Sequence, residues 1–121
     1  MNNPEKQFVI QQHTTTDGIH WDLMLEMDDC LWTWRLRVPP ADIGNAPIPA
    51  ERIADHSLRF LTYEGPVQNN TGTVTITDKG TYRVKIKNSN KLEITFSGQT
   101  VSGEFELYQQ NESFMWELKH F

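Results

Sequence analysis

The stretch His20-Trp21-Asp22-Leu23-Met24-Leu25-Glu26 constrains the fold more than any other part of the chain. Its odd positions, Trp21, Leu23 and Leu25, are apolar. Its even positions are polar or ionisable, with Met24 as the exception. Alternation of period two predicts a β-strand with one face on the core. The opposite face then carries His20, Asp22 and Glu26 in a row. Residues i and i+2 on one face lie roughly 6.5–7 Å apart along a strand. An imidazole and a carboxylate at that spacing can converge on one ion. Upstream, His13 ends a second strand-like run, Phe8-Val9-Ile10-Gln11-Gln12. His13, His20 and Asp22 together offer ligands of types N, N and O, a set that suits catalytic zinc or manganese. His-x-Asp is a short pattern, however. A surface strand on which Asp22 only pairs with an arginine fits it too.

Asp28-Asp29 reads as a tight turn, and Cys30-Leu31-Trp32-Thr33-Trp34-Arg35-Leu36-Arg37-Val38 as the returning strand. With a two-residue turn, Asp22 faces Arg35 and His20 faces Arg37. Trp21, Leu23 and Leu25 then face Leu36, Trp34 and Trp32. These apolar residues share one face and the charges share the other, and a slip of one residue would mix them. Arg35 and Arg37 therefore lie beside the candidate ligands. They either hold a phosphate there or compensate Asp22 and Glu26. The tryptophans could stack on bases, but the register puts Trp21, Trp32 and Trp34 on the buried face.

The chain's 121 residues suit one domain with a real core. Residues 1–6 read as a flexible tail and residues 7–121 as the domain. No run approaches the roughly 18 apolar residues that span a membrane. The N-terminus lacks the pattern of a signal peptide. Cys30 is the only cysteine, so no intrachain disulfide forms and a reduced, cytoplasmic setting is expected. The sequons at Asn69 and Asn111 carry no weight in that compartment. A net charge of −5 argues against unspecific nucleic-acid binding through a basic surface. It leaves room for a local basic pocket.

Thr14 to Gly18 reads as a polar loop, and residues 41–50 as an irregular connection. Residues 50–54 fit a strand or a helical turn. From residue 73 onward the pattern is a meander. Strands are expected at Thr73–Thr77, Thr81–Lys87, Lys91–Phe96, Thr100–Tyr108 and Ser113–Lys119. Turns are expected at 78–80, 88–90, 97–99 and 110–112. The inward candidates include Val74, Ile76, Tyr82, Val84, Ile86, Leu92, Phe105, Phe114 and Trp116. Turn signals every 8–12 residues predict an all-β fold, a sandwich or barrel, with little helix. Elsewhere, His56 follows Asp55 and reads as a general acid, a phosphate-binding cation or a solvated loop histidine. Cys30 lacks a clear activating base.

Taken in order, these motifs resemble the 3′-phosphoesterase module of bacterial DNA ligase D, which serves non-homologous end joining and also occurs alone. The resemblance runs from Phe8–His13 through His20–Glu26 and Leu31–Trp34 to Asp55-His56-Ser57-Leu58. It continues at Tyr63-Glu64-Gly65, Gly72-Thr73-Val74 and Asp78-Lys79-Gly80-Thr81-Tyr82. It implies a single compact antiparallel β-barrel, here of about eight strands. It also implies metal-dependent removal of a 3′-phosphate or 3′-ribonucleoside from DNA ends. The ion implied is manganese, with zinc or cobalt as alternatives. By resemblance the ligands fall on His13, His20 and Asp22, and a phosphate-activating histidine on His56. The implied partners are DNA 3′ ends, including ribonucleotide-bearing ones, and a ligase or polymerase of end joining. A monomer is expected.

The chain departs from the family pattern at three places. Met24 stands where the family has a phosphate-contacting arginine, and Phe60 where it has a tyrosine. The loop before Gly72 is shortened. In addition, the loop between His13 and His20 is one residue longer, and no basic arm precedes Phe8. Three functions follow as expectations: an active phosphoesterase, a degenerate module that binds metal or DNA ends, or a phosphohydrolase with another substrate. In the first, Arg35 or Arg37 substitutes for the missing arginine.

Overall fold

Alternating apolar residues give strands with one dry face, and a sheet buries that face by closing on itself. In the computed structural model the chain does this with eight antiparallel strands. The structure describes residues 4–68 and 71–121. Half of the expected tail and the Asn69 sequon therefore lie outside the described residues. In chain order the strands are β1 (Lys6–Thr15), β2 (Gly18–Met27), β3 (Cys30–Leu36), β4 (Ile48–His56), β5 (Gly65–Pro66), β6 (Thr73–Asn88), β7 (Lys91–Gly98), β8 (Ser102–Gln109) and β9 (Met115–His120). The ring runs β1-β2-β3-β4-β9-β8-β7-β6, and β6 returns to β1. The two-residue β5 adds to β6. Short 3-10 helices cover Pro40–Asp42 and Leu58–Leu61. No helix among the described residues is long and apolar enough to cross a membrane.

The β2–β3 hairpin has the register that the alternation demanded. Asp22 pairs with Arg35, Leu23 with Trp34 and Leu25 with Trp32. Leu23, Leu25, Trp34 and Leu36 enter the main core with Phe8, Ile10, Tyr82, Phe96 and Trp116. Each such side chain adds roughly 1.5–3 kcal/mol by leaving water. Trp21 and Trp32 are half-buried against the same core. The undecided segment 50–54 is strand, within β4.

Four local expectations are corrected. Thr14–Gly18 is not a loop: β1 and β2 pair out to Thr15 and Gly18, so the turn has two residues. Thr14 and Thr15 are β-branched and sit well in strands, and Gly18 takes φ +136°. Residues 78–80 are not a turn either, because β6 runs straight through them. Gly80 serves close approach there: a Cβ would lie 2.1 Å from the Ser97 carbonyl oxygen. Asp78 is buried and closes a different turn. It accepts from the backbone N–H groups of Gln99 (2.8 Å), Thr100 (3.1 Å) and Val101 (2.7 Å).

The other two corrections concern the inward face of the meander. Bulges change that face along β6. One register shift falls opposite Ile10 and Gln11, the second between Val84 and Ile86. Each extra residue reverses the in–out alternation. Tyr82 and Val84 therefore face the main core, while Ile76 packs on a second cluster with Val9, Met24 and Leu31. Ile86 is 45% exposed. Phe114 is 76% exposed because β9 begins only at Met115. The residues before it turn sharply, with positive φ at Asn111 and Glu112.

Candidate functional site

The candidate site lies on the sheet face opposite the main core. There β1 presents Gln11 and His13, β2 presents His20 and Asp22, and β3 presents Arg35. His13 and His20 are directly paired across the β1–β2 ladder, as Asp22 and Arg35 are across β2–β3. His13 Nδ1 lies 3.1 Å from His20 Nε2. His20 Nε2 lies 3.5 Å from Asp22 Oδ1. Among the described residues, these three form the one group of metal-ligating side chains whose donor atoms lie within 4.8 Å of one another.

Neighbouring groups fix the chemistry of each donor. His13 Nε2 is 2.7 Å from the Thr71 carbonyl oxygen. A carbonyl only accepts, so Nε2 carries the proton and Nδ1 turns its lone pair toward His20. The loop reaches this position only because residue 72 is glycine. Gly72 has φ +113°, and a Cβ there would lie 2.1 Å from the Thr14 carbonyl oxygen and 3.1 Å from His13 Nε2. His20 is 8% exposed. Burial, then the charge of Arg35, then His13 and Arg37, push its imidazole down to about 4, so it is neutral at pH 7. Burial also pushes the Asp22 carboxyl up, against the pull of Arg35, His56 and His13.

Asp22 Oδ1 is buried without a hydrogen bond. Its nearest cations are indirect: Arg35 Nε stands 3.8 Å away. A buried carboxylate oxygen without a donor is costly. Two imidazole nitrogens beside it complete a donor set that fits a divalent cation. Their mutual spacing matches ligands around an ion with bonds of about 2.0–2.2 Å.

His56 closes another side of the site. Its Nδ1 lies 3.0 Å from the Ala54 carbonyl oxygen and 3.0 Å from Thr33 Oγ1. Thr33 Oγ1 itself donates to the Leu31 carbonyl. His56 Nδ1 is therefore the protonated nitrogen, and Nε2 has no protein partner among the described residues. His56, Asp22 and His13 line one cleft of about 520 Å³, with Phe60 and Arg59 on its wall. A second cleft of about 570 Å³ shares His13 and Thr71 and is lined by His20, Arg35 and Arg37.

The structure thus brings together all six residues singled out in the sequence, His13, His20, Asp22, Arg35, Arg37 and His56, around two adjoining clefts. Met24 is 1% exposed and belongs to the second apolar cluster, with Phe60 packed against it. The Phe60 ring stands edge-on to His56, centroids 5.5 Å apart. Sequence reasoning missed Gln11, Arg59 and Thr71. Gln11 is fully buried, and its Nε2 donates to the Phe60 and Tyr63 carbonyls, 2.9 Å each. Its Oε1 has no partner. The spacing Gln11-x-His13 was the available signal, since i and i+2 share a strand face. Thr71 acts through its carbonyl, which leaves no mark on residue type.

Against known proteins, the sequence profile described as the DNA Ligase D 3′-phosphoesterase domain matches residues 11–109. The chain is 29% identical over 111 residues to the multifunctional non-homologous end joining protein LigD of Mycobacterium bovis. It is equally similar to the multifunctional non-homologous end joining DNA repair proteins LigD of two Mycobacterium tuberculosis strains. Each match takes in 86% of this chain but 14% of the relative. The chain belongs to the DNA ligase D 3′-phosphoesterase domain family.

Proposed function

We propose that the chain is a phosphoesterase that heals the 3′ ends of DNA, removing a 3′-phosphate or a 3′-ribonucleoside with a divalent ion, most suitably manganese. The observation that carries the reading is the triad His13, His20 and Asp22, with the His13 tautomer set by the Thr71 carbonyl and His56 lining the same cleft as His13 and Asp22. His13 Nδ1, His20 Nε2 and an Asp22 oxygen would hold the ion. The ion supplies Lewis-acid neutralisation of phosphoryl charge. The chain's own residues do the rest. His56 Nε2, with Nδ1 committed to Ala54, holds the phosphate or delivers a proton to the leaving oxygen. Arg35, held over Asp22, offsets charge that develops on the phosphate. Family membership and the name of the mycobacterial relatives support a DNA end as substrate and end-joining enzymes as partners.

One observation favours a second reading, a module that binds metal and a DNA end without turnover. Met24 fills an apolar cluster where the family places an arginine. Phosphate release from a 3′-phosphorylated oligonucleotide separates the two. The enzyme reading expects manganese-dependent release that His20→Ala abolishes. Release that is unchanged in His20→Ala contradicts it. Saturable manganese binding with no release from any 3′-phosphoester establishes the second.

A further inference from the structure

The two clefts that meet at His13 and Thr71 differ in chemistry. The His56 cleft is walled in part by Phe60, Val67 and Val74. The other is lined by Arg35, Arg37 and the polar turn of β1–β2. Arg35 Nε is buried and makes no hydrogen bond. Arg37 is exposed, and no carboxylate among the described residues pairs with it. Asp17 is the sole carboxylate lining that cleft, and it sits in the exposed turn. Two guanidiniums thus share one open groove beside the triad, in a chain whose net charge is −5. Such a chain holds a polyanion only through a local concentration of cations.

We propose that the Arg35–Arg37 cleft is a subsite for the phosphodiester backbone upstream of the reacting 3′ end. The inference rests on the reading above, which puts the reacting phosphate at the triad. Arg35 reaches toward Asp22 and so lies next to that phosphate. Arg37 follows two residues later, in the bend just past the end of β3. It lines the same groove, on the way an upstream strand would take out of the site. Guanidinium forks suit that contact because they bind phosphate oxygens in pairs. The scissile group then lies between the two clefts: the upstream strand occupies the arginine side, and the group to be removed occupies the His56–Phe60 side.

The test reads binding without turnover. A fluorescein-labelled single-stranded oligodeoxynucleotide ending in 3′-OH keeps the upstream phosphates and offers neither a 3′-phosphate nor a 3′-ribonucleoside to remove. Its affinity for the full chain is measured by anisotropy, with manganese, across a range of salt concentrations. Arg37→Ala is expected to weaken binding several-fold and to flatten the log–log salt slope by about 0.7, the value of one lost phosphate contact on a single strand. Lys87→Ala removes the same charge elsewhere and is expected to leave the slope unchanged. Equal losses in the two variants, or wild-type binding in Arg37→Ala, overturn the proposal. A chain that hydrolyses 3′-phosphate but shows no Arg37 dependence contradicts this inference alone. One that shows the dependence yet releases no phosphate contradicts the enzyme reading and keeps the inference.

Discussion

His13 Nδ1 stands 3.1 Å from His20 Nε2 because the two histidines are direct partners across the β1–β2 hairpin. A two-residue turn sets that pairing. Paired residues of an antiparallel ladder point to one side of the sheet. Asp22, two residues beyond His20, lies on the same side. The donor set therefore follows from hairpin register, and the loop around Thr71 and Gly72 completes it.

That dependence makes Gly72 a sensitive position. Gly72→Ala sets a methyl group against the Thr14 carbonyl and forces a positive φ on a residue that disfavours it. A loss of about 1–3 kcal/mol in urea unfolding is expected. Manganese affinity should fall at least tenfold as Thr71 leaves His13, in line with the usual cost of losing an orienting partner. Unchanged affinity would mean that Thr71 does not orient His13.

Asp78 offers a purely structural contrast. Its carboxylate takes three backbone N–H groups from the β7–β8 turn. Asp78→Ala takes the acceptor from all three and leaves the buried Val101 N–H unpaired, which costs about 1–3 kcal/mol. Denaturant unfolding should show that loss, while the folded fraction keeps wild-type manganese affinity.

Acid should destabilise the metal-free protein early. His20 titrates near 4 in the folded state and near 6.5 when unfolded. Between those values the unfolded chain holds the extra proton, so stability falls as pH drops through that window. Asp22 acts in the opposite sense. Its raised value lets the folded state take a proton first, which offsets part of the loss just above the ordinary carboxyl range. Urea midpoints from pH 7 to 4 check this, with His20→Gln expected to flatten the profile. A flat wild-type profile would contradict a buried, neutral His20.

On the proposed reading, Arg35 takes the anion-binding role of the arginine that the family has at the position of Met24. Arg35→Ala should lower turnover about a hundredfold, the usual cost of one charge-assisted donor to a reacting group. Met24→Arg should not compensate. It places a charge in a cluster built from Val9, Leu31 and Leu58, at a cost of several kcal/mol. Stopped assays of both variants, with unfolding curves, separate the two effects.

Much of the site was legible because strand parity is local. Trp21, Leu23 and Leu25 against Trp32, Trp34 and Leu36 set both the register and the ligand face. The bulges in β6 were not legible, since an inserted residue leaves the residue types on either side unchanged. Ile86 was therefore placed on the wrong face. Asp78-Lys79-Gly80 reads as a turn by composition, yet its Asp and Gly serve contacts with the distant residues 97–101. Gln11 and the Thr71 carbonyl depend on tertiary partners some 50–60 residues away in sequence, which no local pattern records.

The most direct test of the account is a manganese titration of the purified chain, followed by intrinsic tryptophan fluorescence or NMR, with His20→Ala alongside. The account predicts saturable binding that the variant loses, with the His13 and His20 ring signals broadened first. No binding, or equal binding by His20→Ala, would contradict a metal centre at His13, His20 and Asp22.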